Sequence, residues 1–193
     1  MKPAFSSLVL FLALGAAAQA GDPPQVGQPA PEFTLKDVDG KEHSLAALKG
    51  KLVVLEWFNP DCPYVKKHHQ RAKTMKETAA RFADKDVVWL AINSGAEGKQ
   101  GAGPARNKQA REEYAITYPI LLDMDGKVGR AYGATATPTM YVIDREGKLA
   151  YMGAIDDDKS PRKLGQLNYV RRALEALLAG QPVPAPAATR AYG

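Results

Sequence analysis

The segment that most narrows the choice of folds is residues 52–63. An apolar, β-rich run from residue 52 to 58 breaks at Asn59-Pro60-Asp61-Cys62 and passes at once into a helical pattern opened by Pro63. A strand so continuously apolar has no face to give to water, so other elements must cover both of its faces. A second run of the same kind spans residues 87–92. Buried strands alternating with helical stretches predict an α/β domain, a mixed central sheet flanked by helices. In sheets of this class, reactive groups gather where strand ends meet helix starts. The chain's only cysteine, Cys62, stands at such a place.

Turn and cap signals divide the remainder. Residues 21–31 are rich in Pro and Gly and read as an extended lead-in to a domain placed at 32–179. Phe33-Thr34-Leu35, the turn Asp39-Gly40 and the stretch to His43 predict an N-terminal β-hairpin. A helical turn capped by Ser44 and ended by Gly50 follows. Pro63 suits a first helical position, and one long helix is expected from there to about residue 83. A glycine-rich loop covers residues 94–104, a helix 107–115, a short strand 120–122 and a helical turn 128–132. Residues 139–152 carry a hairpin signal around Arg145-Glu146-Gly147, and a closing helix is expected over 161–178. The Pro/Ala-rich tail, 180–193, is expected to be disordered.

The N-terminus bears on the compartment. Lys2, an apolar stretch from Leu8, and Ala18-Gln19-Ala20 together fit a secretory signal peptide over residues 1–20, cleaved before Gly21. That stretch is short for a bilayer span and no second long one follows. The processed protein is therefore expected to be exported, periplasmic or extracellular, without membrane insertion. About 170 residues then remain, enough for one domain with its own core. The formal net charge is +5, and the basic residues are scattered among acids rather than gathered beside aromatics. Nucleic acid is not an expected partner. Lys66-Lys67 and Arg171-Arg172 read as solvated helix faces. Exported proteins usually hold cysteines in disulfide pairs. A single one is either a buried hydrophobe or a thiol kept for reaction.

Four features bear on that choice. Cys62 lies at or beside a helix N-cap, where unpaired N–H groups and the helix dipole favour a thiolate. Its neighbours Asp61 and Pro63 suit that reading better than an inert core cysteine. Glu56 interrupts an apolar run. It is either a buried carboxyl able to move a proton to or from sulfur or a strand-end residue turned to solvent. Thr137-Pro138 opens a strand, as an ordinary trans proline or as a cis bond presenting the Thr137 backbone to an extended peptide. His68 and His69 follow on the same helix, and His69 falls on the Cys62 face two turns away. Beside Lys66-Lys67 they read as a wet surface rather than as metal ligands.

The segment Glu56-Trp57-Phe58-Asn59-Pro60-Asp61-Cys62-Pro63-Tyr64-Val65 resembles the active-site strand and helix start of thioredoxin-like proteins. In that resemblance Cys62 matches the nucleophilic cysteine of a Cys-x-x-Cys motif, Glu56 the buried acid, and Thr137-Pro138 the cis-proline. Residues 27–33 and Asp37-Val38-Asp39-Gly40 are similar to the redoxin branch, which includes alkyl hydroperoxide reductases and membrane-anchored thiol reductases. Cys62-Pro63-Tyr64-Val65, Asn93-Ser94 and residues 151–157 look closest to a peroxiredoxin-like subgroup with one active-site cysteine. The resemblance covers residues 26–178 and implies a thioredoxin-like fold. Related chains often run on past a Tyr-Gly like Tyr192-Gly193 to a further cysteine able to act as a resolving thiol.

Two departures shape what the resemblance implies. Val65 stands in place of the second cysteine, so no disulfide can form within the motif. Leu55 and Asn59 occupy the Pro and Thr places of the peroxiredoxin signature, and no arginine clearly matches the peroxidase one. The implied function is a one-cysteine thiol–disulfide oxidoreductase, with Cys62 as nucleophile, Glu56 assisting proton transfer and an external thiol releasing the product. Pro63, Tyr64, Thr137 and Pro138 would bind substrate, and Phe58 would line the approach. The alternatives are a peroxide-reducing antioxidant and a non-catalytic copper- or thiol-binding module using Cys62 with His69 or a methionine. No cofactor and no resident metal are expected. The partners expected are a thiol, disulfide or peroxide substrate and an external reductant.

Overall fold

The computed structural model describes residues 24–193; the expected signal peptide, residues 1–20, lies outside them. The chain opens with the expected hairpin, β1 (Thr34–Asp37) and β2 (Glu42–Ser44), paired antiparallel. Next come the central strand β3 (Leu52–Trp57), buried at every position, and β4 (Val87–Asn93), which runs parallel to it from Leu52↔Val87 to Trp57↔Ile92. The short β5 (Ile120–Leu122) continues the parallel set beside β4. On the other side of β3, β6 (Thr139–Ile143) pairs antiparallel, and β7 (Leu149–Gly153) forms the edge. The sheet thus has seven strands in the order β2-β1-β5-β4-β3-β6-β7. This is the mixed α/β sheet expected from the two apolar runs.

Side-chain alternation along β3 splits the interior in two. Val53, Leu55 and Trp57 face a core completed by Phe33, Tyr132 and Tyr141. Leu52, Val54 and Phe58 face the other core, filled by Met75, Phe82, Tyr114 and Leu174. Glu56 has the parity of Val54 and Phe58, so it points into this second core, and it is 0% exposed. The inward alternative is the one the fold adopts.

Three expectations are corrected. First, residues 63–83 are not one helix. α1 (Pro63–Lys66) runs into a π-helical turn (Lys67–Arg71), the chain breaks at left-handed Lys73, and α2 (Thr74–Phe82) starts afresh. A wider turn changes which side chains face the sheet, and here Lys67, His68 and His69 are all buried. The expected wet surface is interior because polar partners wait there for each of them. Second, after α3 (Pro104–Glu113) and α4 (Lys127–Ala131), the closing helix begins late, as α5 (Tyr169–Leu178). Asp156 and Asp157 accept from the N–H groups of Gly165 and Leu167 and hold that stretch as a loop, while Asn168 caps α5 by accepting from Arg171 N at 2.8 Å.

Third, the tail is docked rather than disordered. Met152 N donates to Ala187 O at 3.1 Å and Thr189 N to Met152 O at 2.9 Å, adding a strand-like segment to the open edge of β7. Backbone pairing with an exposed edge needs no apolar sequence, which is why composition did not reveal it. Tyr192 then buries its ring in the second core.

Candidate functional site

The turn after β3 is held from two directions. Asn59 Oδ1 accepts from Asp61 N at 2.9 Å, and Cys62 N donates to Asn59 O at 3.1 Å. From α3, Tyr114 donates its phenol proton to Pro60 O at 2.6 Å, while Arg106 reaches Asp61. Cys62 is the N-cap of α1, with extended backbone (φ −68°, ψ 128°), and its carbonyl accepts from Lys66 N at 3.0 Å. The thiol is half-buried, and its Sγ donates to Thr137 O at 3.0 Å. The Thr137–Pro138 bond is cis. Cys62 and the Thr137-Pro138 loop, 75 residues apart in sequence, therefore face one another. Pro63 is exposed, and Tyr64 is half-buried with its ring centroid 5.7 Å from that of Tyr192.

Glu56 occupies a closed polar cluster. Its Oε1 lies 2.6 Å from His69 Nε2; its Oε2 accepts from Tyr118 OH at 2.9 Å and from Trp89 Nε1 at 3.4 Å. Burial, the Glu56 carboxyl and the bond to it push the Tyr118 phenol well above its usual range, so it stays a donor. The His69 ring stacks on Tyr114 at 5.5 Å and meets the Phe58 edge at 5.4 Å. Glu56 thus bonds to the helix carrying Cys62 through His69, and no hydrogen bond joins it to the sulfur. His69 thus spends its Nε2 on Glu56. Among the described residues no group of three or more His, Cys, Asp or Glu could hold a metal ion.

A second buried cluster ties the tail to the same helix. Tyr192 OH donates to Asp156 Oδ1 and lies 3.2 Å from His68 Nε2. Lys67 Nζ donates to Asp158 O at 2.8 Å, stands 3.7 Å from Asp156 Oδ1 and sits 5.1 Å over the Tyr192 ring. Burial lowers the His68 pKa to about 4, against the opposing pull of Asp156. Gly193 then lies against the backbone of Thr137, so closely that a Cβ there would overlap the Thr137 carbonyl. The tail therefore runs beside the thiol's own hydrogen-bond partner.

The structure brings Cys62, Pro63, Tyr64, Thr137 and Pro138 to one place, and holds Glu56 below them. The sequence reading missed Arg106, Tyr114, Tyr118, Lys67, His68 and Tyr192. For His69 a signal existed, its two-turn spacing from Cys62, but the adjoining lysines masked it. For the others no local pattern distinguishes a partner from a solvated side chain.

Comparison with known proteins adds a family setting. Residues 26–152 match the model of the AhpC/TSA family. A thiol-disulfide oxidoreductase ResA of Geobacillus thermodenitrificans is 33% identical over 125 residues, 64% of this chain and 66% of that relative's length. A thioredoxin-like protein YneN of Bacillus subtilis is 32% identical over 145 residues, 72% of this chain and 79% of the relative. Among solved structures, an uncharacterized conserved protein from Geobacillus kaustophilus superposes with a TM-score of 0.73 at 31% identity, covering 86% of this chain and 87% of that one. Thioredoxin-like redoxins thus share the fold and about a third of the aligned residues.

Proposed function

The chain belongs to the AhpC/TSA family, and we propose that it is an exported one-cysteine thiol–disulfide oxidoreductase acting through Cys62. The observation that carries this reading is the 3.0 Å contact between Cys62 Sγ and Thr137 O. It sets a half-buried thiol against a backbone loop able to align an extended peptide, and it is supported by similarity to relatives named as thiol-disulfide oxidoreductases. Export is supported by the signal-like residues 1–20, and among the described residues no helix is long and apolar enough to cross a membrane.

In the first step the Cys62 thiolate attacks one sulfur of a partner disulfide. A mixed disulfide forms and the partner's other sulfur leaves as a thiolate. Val65 cannot resolve that intermediate. An external thiolate therefore attacks the Cys62 sulfur and expels the second partner thiolate; another external thiolate then frees Cys62 and leaves as a disulfide. Two external thiols are oxidised and one partner disulfide is reduced. Thr137 and Pro138 align the partner backbone, Pro63 and Tyr64 border the sulfur, and Glu56 serves through His69 by holding the thiol-bearing helix.

The test is to incubate the full chain with glutathione disulfide and with a disulfide-bonded peptide, and to weigh the adducts by intact mass. A mixed disulfide that disappears in Cys62→Ser and is released by excess thiol is expected. No adduct above that of a free thiol, or peroxide consumption that outpaces disulfide exchange and depends on Cys62, would overturn the reading.

A further inference from the structure

The residue before the nucleophile is an acid, and an unpaired carboxylate beside a sulfur opposes thiolate formation. Asp61 is not left unpaired. Arg106, on α3, donates to Asp61 Oδ1 from Nε at 3.2 Å and from Nη2 at 2.9 Å. Both side chains are about three-quarters buried, at 23% and 24% exposure, so the pair is only partly screened. The Asp61 bond holds the guanidinium's own pKa above its usual value. Arg106 also reaches Glu113 Oε2 at 3.4 Å, but that is the wetter partner.

Arg106 is well fixed for this task. Its neighbour Asn107 is 0% exposed and donates to Gly101 O and Gly103 O at 3.0 and 2.8 Å. Asn59 Nδ2 donates to Gln100 O at 3.3 Å, and the Tyr114 bond to Pro60 O anchors the other end of α3. The loop before α3 and the helix itself thus grip the three residues that precede Cys62. Of the other basic groups, Lys66 lies one turn along α1 from Cys62, and Lys159 and Arg190 line a cleft with Thr135, Ala136 and Gly193.

We propose that Arg106 is a positioning residue for Cys62: its guanidinium neutralises the carboxylate of Asp61, so that the thiolate forms beside an ion pair rather than beside a lone negative charge. The proposal rests on the reading of Cys62 as the reacting thiol and concerns how that thiol is kept reactive. It names Arg106 as the reason an acid is tolerated at position 61.

The experiment is the pH dependence of Cys62 alkylation by iodoacetamide in the full chain. Arg106→Gln should slow alkylation at pH 7 by about threefold to tenfold, the scale of one partly screened unit charge near the sulfur, and move the profile to higher pH. The deficit should shrink in 1 M salt, where the Debye length falls to about 3 Å. Asp61→Asn combined with Arg106→Gln should restore the native profile, because both charges are gone. A native profile in Arg106→Gln, or a double variant as slow as the single one, overturns the proposal. Thermal midpoints of the same variants separate misfolding from charge, since a packing defect would be neither salt-sensitive nor rescued by Asp61→Asn. If the profile moves as expected while the chain fails to exchange disulfides, the oxidoreductase reading falls and this one stands.

Discussion

Replacing His69 with leucine should destabilise the domain by about 3 kcal/mol, the low end of what breaking a buried pair costs. Both partners are enclosed: the side chains of His69 and Glu56 are 1% and 0% exposed, with 2.6 Å between Nε2 and Oε1. Leucine fills most of the ring's volume but leaves Oε1 without a donor. The low end applies because Tyr118 and Trp89 still serve Oε2. Urea unfolding followed by the fluorescence of Trp57 and Trp89 reads the change. With a slope of about 2 kcal/mol per molar urea, the midpoint should fall by about 1.5 M. The decisive comparison is Glu56→Leu with His69→Leu. If the loss comes from an orphaned carboxyl, the double variant should lie well above the sum of the singles, with a coupling of about 2 kcal/mol. A loss under about 1 kcal/mol in His69→Leu, or additive effects in the pair, would show that the cluster is not a coupled unit.

Three further outcomes follow from other contacts. Burial lowers His68 from 6.5 to about 4, so between those values the unfolded chain binds more protons than the folded one. The stability this group contributes is complete above about pH 6.5 and is lost as pH falls toward 4; urea midpoints at pH 7 and pH 5 should differ less in His68→Phe than in the parent. Asp123→Ala should cost about 2 kcal/mol, because Oδ2 accepts from Ser94 Oγ at 2.6 Å and Gly129 N at 2.8 Å while Oδ1 caps Val128 N; an unchanged thermal midpoint would contradict this. Gly193→Ala places a Cβ on the Thr137 carbonyl and should loosen the tail there. Cys62 alkylation should then quicken several-fold, whereas an identical rate would mean that the tail does not screen the thiol.

Much of the site was legible because it is local. Pro63 suits a first helical position and is followed by a helical pattern, and the apolar run before it makes a buried strand, so Cys62 falls at their junction. Thr137-Pro138 was also readable, as a proline at a strand entry. What could not be read was whom the polar residues meet. Arg106 bonds to Asp61 across 45 residues and Tyr118 to Glu56 across 62. Lys67 and His68 look like solvated charge in sequence, yet a π-helical turn directs them inward.

Glu56 and the tail show the same division. Side-chain alternation along a strand left two faces open to Glu56, and only the packing of three donors on one of them placed its carboxyl in the interior rather than in solvent. Composition made residues 180–193 look unable to bury enough apolar surface to order themselves, which is correct for the segment alone. The folded domain supplied what the segment lacked: an unpaired β7 edge for its backbone, and His68, Lys67 and Asp156 as partners for Tyr192. The sequence by itself determined the α/β architecture, the strand–turn–helix unit and the place of Cys62 at its junction, because those depend on short-range sterics and hydrophobic periodicity. The tertiary structure alone decided the pairing of Arg106 with Asp61, the closed cluster around Glu56 and the tail beside Thr137, because each depends on groups that meet only after the sheet has formed.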